Sequence, residues 1–333
     1  MKTMTKWERV EAALQSADVD RIPISLWKHY HLQDRAPGQL AEVTLALHRQ
    51  FDTDLIKLTP SGLYPIQDWG ATIQFGRDDD FLPLAVQPII GSAGQWTALP
   101  RLDVTKGALR RELETIQHVA KGLNGSAPFM MTLFSPLTIA YKLCGDRVSG
   151  RQLVEHIRQE PGQVHAGLTV IRDVLIEYAA ACLEAGASGF FFATQMATTD
   201  LVTRHEFAEF GRAYDLPVLE SLIGRSRVTM LHVCGKNLAF DLVADYPVDV
   251  LNWAAHTSGT SLTDARRMTA TPLAAGLSLE TLCGGTESEV QAEAHQAIAV
   301  AGRKGFILAP DCVIPGPSPD ANLAAARRAS EAV

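Results

Sequence analysis

From end to end the chain repeats one alternation: a short apolar run rich in β-branched or aromatic residues, then a longer segment with apolar positions at helical spacing. The apolar runs begin near residues 22, 54, 129, 188, 228, 248, 272 and 305. Runs this short and this continuously apolar suit strands of a parallel sheet buried on both faces. Between them, Gln39–Phe51, Ala108–Leu123, Gln163–Ala185, Glu206–Ile223, Leu238–Tyr246, Leu262–Met268 and Glu287–Ala301 carry helical spacing. Shorter helical pieces are expected at Trp7–Gln15, 138–143 and 150–159, with a closing helix over 318–332. Gly186 stands where a left-handed cap would end the long helix. Such a βα series predicts an α/β fold, a (β/α)8 TIM barrel in a single domain over residues 1–333. A doubly wound open sheet is the competing architecture, but no Gly-x-Gly-x-x-Gly follows the first predicted strand. The stretch from Ala71 to Thr97 breaks the rhythm. Its short alternating pieces, Ala71–Phe75 and Leu84–Gln87, predict a β-hairpin inserted after the second strand.

Composition narrows the function classes. A net charge of −7 offers no basic footprint for nucleic acid or an anionic membrane surface. No apolar run reaches membrane-spanning length, and the polar stretch Met1–Glu11 does not read as a secretory signal. Five scattered cysteines do not form a disulfide framework and suit a reducing compartment, so a cytoplasmic protein is expected.

In a barrel the chemistry sits at the C-terminal ends of the strands. The fifth predicted strand ends in Leu231-His232-Val233-Cys234-Gly235, and its period-two alternation points His232 and Cys234 to the same side. The eighth runs into Pro310-Asp311-Cys312-Val313-Ile314-Pro315, which places Cys312 just past the same rim. His232, Cys234 and Cys312 make a His/Cys/Cys zinc set with one tetrahedral position open, the pattern of a catalytic ion. Cys283, in the Gly-rich turn after the seventh strand, competes as third ligand. Cys144 and Cys182 lie in helical stretches and read as packing residues. A sulfur-rich zinc site favours activation of a thiol, and hence alkyl transfer, over hydrolysis by activated water. Other residues at predicted strand ends are Lys28, His29, Tyr30 and His31, then Tyr64 and Asp68, then Gln195 and Met196. Asn252 and His256 follow the sixth strand, and Glu280 the seventh. Of these, His29, Tyr64 and His256 are candidate catalytic residues, His29 and His256 for proton transfer, with His256 also a distant candidate fourth ligand; Tyr64 and Asp68 are expected to shape the pocket. Gln195 and Asn252 are candidates for binding a cofactor.

Several of these segments resemble the uroporphyrinogen decarboxylase superfamily, in particular its zinc-dependent, corrinoid-linked methyltransferase branch. The resemblance is carried by Asp20-Arg21-Ile22-Pro23-Ile24, Phe51-Asp52-Thr53-Asp54-Leu55-Ile56-Lys57, Phe134-Ser135-Pro136-Leu137-Thr138, and Gly186-Ala187 leading to Phe190–Thr194. Its strongest marks are the His232-x-Cys234 and Asp311–Pro315 segments, the latter followed by Pro319 and Asn322. It implies a TIM barrel with His232, Cys234 and Cys312 as zinc ligands. It also implies a methyl group moved between a small methylated substrate or thiol and a corrinoid. No Asp-x-His-x-x-Gly cobalamin run occurs, so the corrinoid is expected on a separate carrier protein. Direction of transfer and homodimerisation are left open. The alternative is a uroporphyrinogen-decarboxylase-like lyase acting on a carboxylated substrate. Against it, the Arg-rich segment of those decarboxylases is replaced here by Trp27–His31, and their aspartate after the second strand falls on Pro60 or Ser61.

Overall fold

The computed structural model describes residues 3–76, 82–145 and 151–331. Seven parallel strands form one curled sheet: β1 (Ile56–Leu58), β4 (Phe129–Phe134), β5 (Gly189–Thr194), β6 (Val228–Val233), β7 (Val250–Trp253), β8 (Leu273–Leu277) and β9 (Phe306–Pro310). β2 (Ile73–Gln74) and β3 (Leu84–Ala85) pair antiparallel in a separate ribbon, with Ile73 opposite Ala85. The ribbon lies where the hairpin is expected, and its connection, 77–81, is outside the described residues. Every residue of β4 to β9 is buried, as a sheet covered by helices on one face and filled by its own side chains on the other requires. Helices such as Gly107–Leu123, Pro161–Glu184 and Glu287–Ala301 follow the strands, and one continuous apolar cluster runs from Val10 to Ala329.

The first predicted strand is where the sheet departs most from the sequence reading. Residues 22–28 are extended but make only isolated bridges, Ile24 to Leu308 and Lys28 to Ile314. The Leu308 amide donates to the Pro23 carbonyl and Ser25 returns a bond to Leu308, while Asp54 N–H donates to the Ile24 carbonyl. The segment thus touches both edges of the sheet. Pro23 has no amide to give a ladder, which limits regular pairing. The segment is held instead by Asp54. Its carboxylate, fully buried, accepts from Arg9, from both terminal nitrogens of Arg21 and from the Ile24 amide at 2.6–2.9 Å.

Two helical predictions also change. Leu238–Tyr246 contains only a 3₁₀ turn, Phe240–Leu242. Within it Ala239, Phe240, Val243, Ala244 and Tyr246 are buried, so the segment packs on the core without forming a regular α-helix. Glu206–Ile223 is divided into Arg204–Glu206, a π-helical turn over Phe207–Arg212, and Ala213–Glu220 with Pro217 inside it. The expected helix over 150–159 is Arg151–Gln159, and the closing helix is Asp320–Ala329; Gly150 and Ala332 lie outside the described residues.

Candidate metal centre

β6 delivers two of the three donors. Its period-two geometry turns His232 and Cys234 to the same side, and the Cys234 amide donates to Thr194 O on the neighbouring strand. Gly235 follows at φ +126°, a conformation side-chain-bearing residues rarely adopt, so the chain turns away immediately after the thiol. The third donor comes from beyond β9. Asp311 anchors that turn: its amide donates to Leu277 O, and its carboxylate accepts from the Ala255 and His256 amides and from His256 Nδ1 at 3.0–3.4 Å. Two residues beyond Cys312, the Ile314 amide donates to Trp27 O. Cys312 is therefore fixed between two clamps.

The donor atoms of His232, Cys234 and Cys312 all lie within 4.8 Å of one another, and Cys312 Sγ is 3.7 Å from His232 Nε2. A tetrahedral zinc would separate sulfur from nitrogen by about 3.6 Å and sulfur from sulfur by about 3.8 Å. The donor set fits such an ion in chemistry and spacing. It has three members among the described residues.

The tautomer of His232 is set by Asn252, the adjacent residue on β7. His232 Nδ1 is 2.6 Å from Asn252 Oδ1, while Asn252 Nδ2 donates to Ala274 O (2.7 Å) and Pro310 O (3.1 Å). Two carbonyl partners require the amide NH₂ on their side, so Oδ1 faces the imidazole and Nδ1 carries the proton. That leaves the Nε2 lone pair facing the sulfurs, the arrangement a metal-ligating histidine needs. The ring also stacks on Phe191 at 5.0 Å. The Cys234 thiol and the His232 imidazole against Cys312 Sγ hold the Cys312 thiol well below its ordinary range, overcoming the opposing effect of burial.

A cavity of about 440 Å³ opens beside the cluster. It is lined by alternate residues of successive strands and their continuations: Lys57 and Thr59, Thr132 and Phe134, Phe191 and Ala193, His232 and Cys234. This is the face that period-two alternation presents at the C-terminal end of a parallel sheet. Of the other sequence candidates, His29 and Gln195 line this cavity, and His29 stacks on His31 at 4.8 Å. Asn252 does not line it; it is fully buried behind His232, hydrogen-bonded to His232 Nδ1. Tyr64 does not line the cavity. It is buried, donates to Thr132 O at 2.8 Å and packs against Phe134 and Tyr178. His256 also lies outside it, in a separate cavity of about 790 Å³ between the helices that follow β7 and β8, beside Glu280 and Glu293. Its pairing with Asp311 raises its pKa above the usual histidine value. Asp68 does not shape the pocket. It caps the helix Gly107–Leu123, accepting from the Ala108 and Leu109 amides at 2.7 and 2.9 Å. Cys283 pairs with Ser318 Oγ at 3.0 Å, away from the donor cluster. Cys144 and Cys182 are buried, and burial pushes the Cys144 thiol up to about 12.

Sequence reasoning passed over Lys57. It is 5% exposed, lines the cavity, lies over the Phe191 ring at 4.5 Å and donates to Thr59 Oγ1 at 3.1 Å. Burial lowers its pKa to about 7. A charged residue inside the apolar run Leu55–Leu58 was the available signal.

Fold and site together define a TIM-barrel-like α/β protein with a His/Cys/Cys donor cluster at its strand ends. Residues 5–333 match the model of the uroporphyrinogen decarboxylase (URO-D) family, and the chain belongs to that family. It is 22% identical over 252 residues, 71% of each protein, to a "Methylcobamide:CoM methyltransferase MtaA" of Methanosarcina barkeri. Among solved structures it resembles a methyltransferase from Methanosarcina mazei, with a TM-score of 0.85, 22% identity and 98% of each chain covered. A B12-independent methionine synthase from a Shewanella species follows at TM-score 0.61 and 14% identity, covering 93% of this chain and 97% of that one. Among the described residues no helix is long and apolar enough to cross a membrane.

Proposed function

We propose that this protein is a zinc-dependent methyltransferase that moves a methyl group between a small substrate or thiol and a corrinoid held by a separate carrier protein. The observation that carries the reading is the convergence of His232 Nε2, Cys234 Sγ and Cys312 Sγ on one point at the rim of the cavity. The corrinoid and thiol enter through the printed name of the Methanosarcina barkeri relative, a methylcobamide:CoM methyltransferase. When bound, zinc supplies the Lewis acidity that keeps a coordinated thiol deprotonated at neutral pH. The chain's own residues do the rest. Asn252 keeps the proton of His232 on Nδ1, Asp311 and Trp27 fix the turn that carries Cys312, and Phe134 and Phe191 wall the cavity. His232, Cys234 and Cys312 would hold the zinc and would leave it open to a further ligand from the substrate. In the same reading the sheet is a single-domain (β/α)8 barrel with residues 22–28 in the place of its remaining strand. The β2–β3 hairpin is then an insertion beside the mouth, where Leu82 and Pro83 border the cavity. Porphyrinogen decarboxylation is disfavoured, because no arginine, aspartate or glutamate lines the cavity among the described residues.

Metal analysis of the purified protein tests this. About one zinc per chain is expected, lost in Cys234→Ser and Cys312→Ser, with methyl transfer from a methylated corrinoid to a thiol lost in parallel. A metal-free wild-type protein with full activity refutes it.

A further inference from the structure

The turn between residues 22–28 and the helix Pro37–Phe51 holds a pair of side chains that the metal cluster does not use. The Gln33 and Asp34 amides both donate to the Tyr30 carbonyl, at 2.9 and 2.8 Å, and the turn so closed brings His31 and Asp34 together. His31 Nδ1 lies 3.6 Å from Asp34 Oδ2. Asp34 is 2% exposed, and neither of its carboxylate oxygens accepts a hydrogen bond among the described residues. A carboxylate buried in this way is costly, so its persistence calls for a reason. Burial pushes the Asp34 pKa up, and the His31 ring beside it pulls the other way, ahead of Arg111 and Arg35.

The neighbour of that carboxylate belongs to the reaction site. The His31 ring lines the metal cavity, as His232, Cys234 and Cys312 do, and stacks on His29 at 4.8 Å. Its buried edge is Nδ1, turned to Asp34, which leaves Nε2 as the nitrogen that a molecule in the cavity can reach. A buried carboxylate behind an imidazole orients the ring and stabilises its protonated form, which equips the far nitrogen for acid–base work. Such contacts are often long before a ligand arrives and tighten with it, so 3.6 Å suits a dyad at rest. The other charged groups about the pair are Arg35 on the same turn, Arg111 and Glu112 on the helix Gly107–Leu123, and Lys57 and Lys142 in the cavity wall. Lys57 is the rival base, but it rests on the Thr59 hydroxyl and the Phe191 ring, neither of which balances a gained charge as a carboxylate does.

We propose that His31, oriented by Asp34, is the catalytic base that takes the proton of a thiol entering the metal cavity. The S–H bond breaks and its electron pair stays on sulfur. The proton forms a bond to His31 Nε2, and the positive charge it brings lies against Asp34. When transfer runs the other way, the same nitrogen returns the proton to the departing thiolate. His31 meets the substrate, and Asp34 is a positioning residue. The inference deepens the methyltransferase reading and rests on it for the thiol and the metal.

Stopped-flow mixing of cobalt(II)-loaded protein with 2-mercaptoethanol tests this, because the added sulfur-to-cobalt absorption reports arrival of the thiolate without any methyl transfer. With His31 in place, the rate should not follow the small fraction of thiol that is ionised in solution. In His31→Gln it should fall about a hundredfold at neutral pH and climb about tenfold per pH unit toward the ionisation of the free thiol, since only preformed thiolate then reacts. Asp34→Asn keeps the shape of the side chain and should slow the wild-type rate at least about tenfold at unchanged cobalt content. A His31→Gln profile equal to wild type, or a wild-type rate that tracks the ionised fraction, overturns the proposal. Should the loss appear in Lys57→Met and not in His31→Gln, Lys57 is the acceptor and the proposal fails. If His31→Gln does not fold, Asp34→Asn decides, and an unchanged rate there refutes it. Protein that holds no cobalt and gives no thiol band sinks the metal reading and this inference with it. A band that forms in wild type and His31→Gln with one rate and one pH dependence sinks this inference alone.

Discussion

Asn252→Ala removes the acceptor that fixes His232. In the native site the imidazole Nδ1 sits 2.6 Å from Asn252 Oδ1, and without it either nitrogen can carry the proton and the ring is free to turn. Loss of a partner of this kind costs about tenfold to a hundredfold in metal affinity, or about 1.4–2.7 kcal/mol. The same change strips the carbonyls of Ala274 and Pro310 of their Asn252 donor, a separate stability cost of about 1–3 kcal/mol for each that stays unsatisfied. The two effects are read independently. Zinc affinity comes from competition with a chromophoric chelator at neutral pH, and stability from denaturant unfolding of metal-stripped protein. Asn252→Asp dissects them further, since a carboxylate still accepts from Nδ1–H but cannot donate to the two carbonyls. It should keep zinc affinity close to wild type while losing stability. If folded Asn252→Ala binds zinc within about twofold of wild type, Asn252 does not hold His232 in its ligating tautomer.

Three further outcomes are expected. Asp54→Ala leaves the buried ends of Arg9 and Arg21 without their shared acceptor and should cost about 3–5 kcal/mol in denaturant unfolding; a loss under about 1 kcal/mol would speak against an anchoring role for this residue. Asp68→Ala uncaps the helix Gly107–Leu123 and should cost about 1 kcal/mol, with no change in zinc content. Burial raises the Asp215 carboxyl from 3.8 to about 7. The folded state therefore holds that proton where the unfolded chain has released it, so stability falls as pH rises through this window, by at most about 4 kcal/mol. Asp215→Asn, which can still accept the Tyr246 hydroxyl, should raise the unfolding midpoint at pH above 7 and leave it little changed below 4; an equal shift at both pH values would contradict this.

The strands were legible because burial on both faces leaves an unbroken apolar run. Phe129–Leu133, Ser188–Ala193 and Val228–His232 all fall within a residue or two of β4, β5 and β6. The segment 22–27 was legible as extended chain but not in its irregular pairing, which depends on a proline and on an aspartate some thirty residues later. The donor trio could be read from position alone, since the end of a strand fixes both height and facing. Tyr64 and His256 could not be sorted in this way. Whether a residue after a strand turns into the mouth or behind it is decided by loop geometry, here by Thr132 O for one and Asp311 for the other. Asn252 reads in the sequence as a rim residue for binding a cofactor, and its four-strand connection has no signature in local sequence.

That connection has a consequence for how the protein assembles. Through one side chain, Asn252 links His232 on β6 to Ala274 on β8 and Pro310 on β9, and the donor pair His232 and Cys312 is separated by 80 positions along the chain. The unfolded polypeptide holds no such grouping, so an ion bound there acts on the folding equilibrium of the whole sheet. At a free concentration a thousand times its dissociation constant it would add about 4 kcal/mol to global stability. Metal uptake during refolding would then serve as a clock, starting only when the last strand has found its neighbour.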